Sequence, residues 1–372
     1  MTAEQMIHIL KLTVRKGEIS WTYAQGNLDG SERPQQGTQY EDLELDSLQK
    51  RDIDFLVKLQ QFLMDQLRDK KQESQVSEYF RVLSELLGEH LYVVLFKGKI
   101  HEKLHELLEE ARGGGLVRVQ LEFEGEQEAL LASWPWEYLY SPLDPRLPTT
   151  GRFLAVDAQL MLNRMLSLGS GRQLSTSPPV RILVVASNPG GELTPVNGDV
   201  IVEAINHLKQ VKVDLKNLLE PKDIDFSMNY KPTVTRDAFQ KTVKEFQPHI
   251  IHFIGHGQHR AGGGGQVALA QPSPEGREPD WVDDQNFANW AAASKDLKLV
   301  FMQACESALP DPYMGISGVA QRLAHRNIPA VVAMQSKIDK DVATTFARKF
   351  YQSLAEGNPV DLAVKAGREV IS

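Results

Sequence analysis

Two unbroken apolar runs in the second half of the chain end in the same way. His249-Ile250-Ile251-His252-Phe253-Ile254 leads into Gly255-His256-Gly257, and Leu297-Lys298-Leu299-Val300-Phe301-Met302 leads into Gln303-Ala304-Cys305-Glu306. A short apolar run without alternation predicts a strand covered on both faces, as in a parallel sheet packed between helices. Each run carries a reactive side chain to the carboxyl end of its strand, where open α/β sheets bind their ligands. Cys305 is the one cysteine among 372 residues, and it follows His256 by 49 residues. A lone Cys and a His at two strand ends suggest a dyad.

The surrounding pattern fits that sheet. Val180 to Ala186 is a continuous apolar strand, Val200 to Lys209 is helical, Lys212 to Leu218 reads as a strand, and Arg236 to Phe246 as a helix. After the Cys strand come a helix near Gly318 to Arg326, a strand from Ala330 to Met334 and a helix from Asp341 to Glu356. Strands alternating with helices predict an α/β domain with a mostly parallel sheet and helices on both faces. Pro359 to Ser372 reads as a helix without a cap, which suggests that the natural protein continues further.

The first half is built differently. Residues 5–24 read as a hairpin around Arg15-Lys16-Gly17-Glu18, and the polar residues 25–44 as a loop. Leu48, Phe55, Leu56, Leu59, Phe62, Leu63 and Leu67 fall at helical spacing. Gln75 to Leu87 predicts a second helix stopped by Gly88, and His90 to Phe96 a strand. Lys99 to Arg112 reads as a helix ended by Gly113-Gly114-Gly115, Leu116 to Phe123 as a strand, and 152–166 as one or two more. The Ser, Gly, Pro and Thr of 167–179 mark a linker. The domains expected are therefore 1–168, a smaller amino-terminal α/β domain, a linker over 169–179, and 180–372. Trp134-Pro135-Trp136 reads as hydrophobic anchoring of the amino-terminal half rather than a partner surface.

Composition narrows the chemistry. A net charge of −8 argues against direct nucleic-acid binding, which favours basic footprints. No run approaches the ~20 apolar residues of a membrane helix, and Met1 to Leu10 lacks the basic start of a signal peptide. One cysteine excludes an intrachain disulfide and a cysteine-rich zinc site, so no metal or cofactor is expected. A reducing cytoplasm suits a free thiol. Gly262 to Gly265 lacks the Lys-Ser/Thr of a phosphate loop and reads as a loop beside the site.

Cysteine proteolysis needs a thiolate, a proton carrier and an oxyanion site. A free thiol has a pKa of ~8.5, so Cys305 needs an imidazole neighbour, and His256 titrates in the right range. The N–H groups of Gly257 and Cys305 are the candidate oxyanion donors, each worth about 3 kcal/mol in model enzymes. His252 sits among apolar residues and reads as a core or supporting histidine, and His259 as a solvated loop residue. Glu306 either orients groups near the site or caps the following helix.

These pieces, in order, resemble the CHAT family, caspase-like cysteine peptidases related to separases. Val180 to Pro189 is similar to the family's first strand, His249 to Gly257 to its histidine strand, and Gln303-Ala304-Cys305-Glu306-Ser307-Ala308 to its nucleophile turn. Gly318 to Ala324, Ile328 to Gln335, Ala347 to Tyr351 and Pro359 to Ala363 complete the likeness. Trp134 to Tyr140 and Gly151 to Leu154 extend it upstream. The resemblance implies a caspase-type fold with His256 and Cys305 as catalytic dyad. It implies endopeptidase activity on a protein substrate, in bacterial defence or cell death, gated by a sensor or partner protein. Glu306-Ser307 departs from the caspase pattern, and separase-like relatives cut after a basic residue. Ser336 to Asp341 is similar to their acidic pocket wall, which makes Asp339, with Glu306, a candidate for substrate binding. The alternative is a non-catalytic caspase-like adaptor or signalling scaffold.

Overall fold

The computed structural model describes residues 6–15, 17–27, 32–43, 47–66, 73–124, 131–132, 134–142, 151–165, 180–189, 193, 196, 198–199, 201–202, 226–231, 234–259, 264–271, 278–306, 315–334 and 340–371. Contacts divide the chain into two compact units, Met1–Ser167 and Leu168–Ile371. The expected linker 169–179 and the expected strand 212–218 lie outside the described residues, as does all of the expected helix 200–209 except Ile201 and Val202, which are helical.

In the first unit, β1 (Ile7–Arg15) and β2 (Glu18–Gly26) form the expected hairpin, in register from Ile7↔Gly26 to Arg15↔Glu18. The polar stretch read as a loop instead contains β3 (Glu32–Asp42), which pairs antiparallel with β2. It is an edge strand with almost no buried side chain, so no apolar alternation marks it. α1 (Ser47–Gln66) follows as expected. α2 (Glu73–Leu95) then runs straight through Gly88 and takes in most of the residues read as a strand. Gly88 is there for close packing: an added Cβ would stand 2.2 Å from the Tyr138 carbonyl oxygen and 2.5 Å from Tyr140 Cβ.

α3 (Gly98–Glu110) ends in a single 3-10 turn over Ala111–Gly113. It leads to β4 (Leu116–Phe123), which pairs parallel with β1. β5 (Tyr140–Ser141) and β6 (Arg152–Phe153) form a short ladder, and β7 (Leu160–Met165) closes the five-stranded order β3-β2-β1-β4-β7. Trp134 and Trp136 are buried in this unit's core. Trp136 stacks on Phe123 at 5.4 Å, and the Trp134 indole N–H donates to Asp54 at 3.1 Å.

The second unit holds the predicted sheet. β8 (Val180–Ala186) pairs parallel with β9 (Phe226–Lys231) on one side. α4 (Arg236–Phe246) matches its predicted bounds. The Thr235 hydroxyl accepts the Ala238 N–H at its start, and Phe239, Thr242 and Val243 lie buried at helical spacing. β10 (Ile250–His259) then pairs parallel with β8, and the chain returns through β11 (Gly265–Leu269) and β12 (Asp280–Asp283) to α5 (Asp284–Ala291). β11 and β12 form an antiparallel hairpin whose first strand pairs with the last three residues of β10. β13 (Leu299–Glu306) runs parallel along the other side of β10. α6 (Gly315–His325), β14 (Ala330–Ala333), α7 (Lys340–Ala355) and α8 (Val360–Ile371) complete the unit.

Helices cover both faces, as expected. Ile251, Phe253, Val300 and Met302 pack with Phe239 and Val243 of α4, Phe287 of α5 and Leu323 of α6. The alternate residues Ile250, Ile254, Leu299 and Phe301 pack with Phe346, Phe350 and Tyr351 of α7 and Ala363 of α8. Two apolar layers explain why these strands read as continuous apolar runs.

Candidate functional site

β10 and β13 carry the two predicted site residues to the same place. Their parallel register pairs Ile250 with Leu299 and continues rung by rung to His256↔Cys305 and Gly257↔Glu306. Neighbouring strands stand about 4.8 Å apart, and register partners lie on the same side of the pleat. Positions 256 and 305 are therefore adjacent, on the face that α7 and α8 cover lower down. His256 is buried, at 5% exposure.

The neighbour of β10 changes at this level. β8 accompanies it in parallel as far as Ile254↔Ala186, and β11 takes over, antiparallel, at Gly257↔Val267. His256 falls at the exchange, at the carboxyl ends of the parallel strands. Open α/β sheets bind ligands beyond the carboxyl ends of their strands. Ser187 fastens this corner: its N–H donates to the Ile254 carbonyl at 2.7 Å and its hydroxyl to the Ala268 carbonyl at 2.5 Å. Beyond it, the Asn188 side chain pairs with both the N–H and the carbonyl of Val196.

A buried carboxylate joins the elements that flank the site. Asp284, at the start of α5, accepts the Gly265 N–H at 3.2 Å, and Arg322 of α6 comes within 3.8 Å. Gly318 lets α6 approach this point, since an added Cβ would lie 2.9 Å from the Gly265 nitrogen. The start of β11 and α6, the helix that follows β13, are thus held to one anchor. Gly264 and Gly265 belong to that anchored turn and strand, and 261–263 lie outside the described residues.

His252 lies below positions 256 and 305 on the same face. It is fully buried, with Nδ1 3.0 Å from the Tyr351 hydroxyl and Nε2 3.1 Å from the Gln303 side-chain oxygen. Burial pushes its pKa down to about 3, against a smaller opposing pull from the Gln303 hydrogen bond. It is therefore neutral at physiological pH, a buried histidine with both ring nitrogens hydrogen-bonded, as its apolar neighbours suggested. Burial likewise pushes the Tyr351 hydroxyl up, so it remains protonated. The sequence alone did not show this network. Its one legible trace is parity, which puts His252 and His256, and likewise Gln303 and Cys305, on one face.

The other candidates sort out as follows. Gly257 is paired with both Glu306 and Val267, and Glu306 is the last residue of β13. His259 lies in the ladder opposite Gly265, so it ends a strand instead of sitting in a loop. Asp339 lies outside the described residues. No helix among the described residues is long and apolar enough to cross a membrane.

The CHAT domain family model matches residues 85–371. The chain belongs to the CHAT domain family. The match begins within α2 and takes in β4 to β7 of the first unit as well as the whole sheet of the second. That confirms the resemblance read from the strand ends, and with it the kinship to caspase-like peptidases and the α/β fold. The chain has no match among curated proteins.

Proposed function

We propose that this CHAT protein is a cysteine endopeptidase that cuts a protein substrate through His256 and Cys305. The observation that carries the reading is the shared rung of these residues at the carboxyl edge of a parallel sheet, where β10 changes neighbours. His256 takes the thiol proton, and the Cys305 thiolate attacks the scissile carbonyl. The tetrahedral oxyanion is held by the N–H groups of Gly257 and Cys305. Its collapse breaks the C–N bond as imidazolium His256 gives its proton to the leaving amine. Water, deprotonated by His256, then attacks the thioester, and collapse of that second intermediate releases the acid and the thiol.

Cleavage after Lys or Arg is supported by the likeness of Ser336 to Asp341 to the segment that supplies the acidic pocket wall of separase-like relatives, with Asp339 and Glu306 as the groups that meet the basic side chain. A cytoplasmic effector of bacterial defence or cell death, released by a sensor protein, fits the single free thiol and the family's habits. The test is a library of peptides varied at the residue before the cut, presented to the purified chain with and without candidate activators. Cleavage after Lys or Arg that is absent in Cys305→Ala is the expected result. Equal cleavage by Cys305→Ala would exclude the mechanism.

A further inference from the structure

The Tyr351–His252–Gln303 network has a direction, and the direction follows from valence. A neutral imidazole has one N–H and one lone pair. His252 meets two partners, the Tyr351 hydroxyl at Nδ1 and the Gln303 carboxamide at Nε2. Two arrangements satisfy the imidazole. In one, Tyr351 donates to Nδ1 and Nε2–H donates to the Gln303 oxygen. In the other, Nδ1–H donates to Tyr351 and the Gln303 NH2 donates to Nε2. The second needs another acceptor for the Tyr351 hydroxyl proton, and the structure sets the Gln303 oxygen rather than its nitrogen 3.1 Å from Nε2. An unsatisfied buried donor costs about 1–3 kcal/mol. The first arrangement wins.

The consequence lies at the site. With its oxygen turned to His252, Gln303 turns its NH2 the other way. Gln303 pairs with Ile254, two residues beyond His252 toward the carboxyl ends of β10 and β13, and is 7% exposed. Cys305 stands there, two residues further on the same side of the pleat. We propose that His252 and Tyr351 are positioning residues that lock the Gln303 carboxamide with its N–H donors facing the Cys305 position, where they favour the thiolate. This rests on the endopeptidase reading for its purpose, but not for its geometry. His252 would take part without carrying a proton, and α7 would contribute to the site through Tyr351.

The experiment has two arms on the full chain. Long-range 1H–15N correlation on 15N-histidine-labelled protein, with His252 assigned by its loss in His252→Asn, shows which ring nitrogen holds the proton. The proton is expected on Nε2, with both tautomers populated in Tyr351→Phe; a proton on Nδ1 overturns the proposal. The second arm is the alkylation rate of Cys305 against pH in Gln303→Met and Tyr351→Phe, with circular dichroism confirming the fold. Loss of one hydrogen bond to the thiolate is expected to slow alkylation at pH 7 by about fivefold and to raise the midpoint. Profiles identical to wild type in both folded variants overturn the proposal. A wild-type thiol with the midpoint of a free cysteine would count against the endopeptidase reading, while the tautomer would still decide the network.

Discussion

His252 and Phe301 share a rung of the sheet and stack on it, ring centroids 4.4 Å apart at 23°. The imidazole, fully buried, thereby packs against both the Phe301 ring and Tyr351 of α7. That burial has a measurable consequence for stability against acid.

In the unfolded chain His252 binds its proton near the ordinary 6.5, and in the folded protein only near 3. Between those values the unfolded state holds the extra proton, so stability rises with pH and is lost as pH falls from about 6.5 toward 3. Burial lowers His8 and His249 as well, with the same sign. Each such group contributes a slope of at most about 1.4 kcal/mol per pH unit. Urea midpoints are expected to fall steadily from pH 7 to pH 4. His252→Phe should be weaker at pH 7, because Tyr351 and Gln303 lose their partner, yet fall less steeply. Equal slopes in the two proteins would mean that His252 is not held neutral.

Gly88→Ala separates a packing role from a helix-breaking one. In the middle of a free helix this change stabilises by about 1 kcal/mol. Here the new methyl group meets the Tyr138 backbone oxygen at 2.2 Å, and the chain at 138–140 must move. A loss of about 1–3 kcal/mol is expected in thermal or urea unfolding. A gain would show that α2 does not lie against that segment.

Asp284→Ala removes the acceptor of the Gly265 N–H and the partner of Arg322. A buried N–H left unsatisfied costs about 1–3 kcal/mol. Hydrogen exchange should speed up at Gly265 and in the first turns of α6, with little change in β1 to β4 of the other unit. Unchanged protection at Gly265 would contradict the anchor.

The parts of this structure that the sequence announces are those with one simple cause. β8, β10, β13 and β14 were readable because helices cover both faces, which writes a continuous apolar run. α4 was readable to the residue because Thr235 caps it and Phe239 and Val243 face the core. β3 was missed because an exposed edge strand needs no apolar side. The strand expected at His90 to Phe96 was mostly the end of a helix whose last residues are largely buried, and periodicity cannot separate the two over so few residues. The β11–β12 hairpin is short and begins in glycines, so it left no alternation to read. For the site, the strand ends pointed to His256 and Cys305 together. Tyr351 could not be foreseen, since only the packing of α7 brings it to His252.

The shared rung of His256 and Cys305 is best tested by the alkylation rate of Cys305 as a function of pH, in the wild type and in His256→Ala. The single cysteine makes the signal unambiguous, and no substrate is needed. A paired imidazole should bring the wild-type midpoint below the ~8.5 of a free thiol, and His256→Ala should return it there. Superimposable profiles would contradict the dyad.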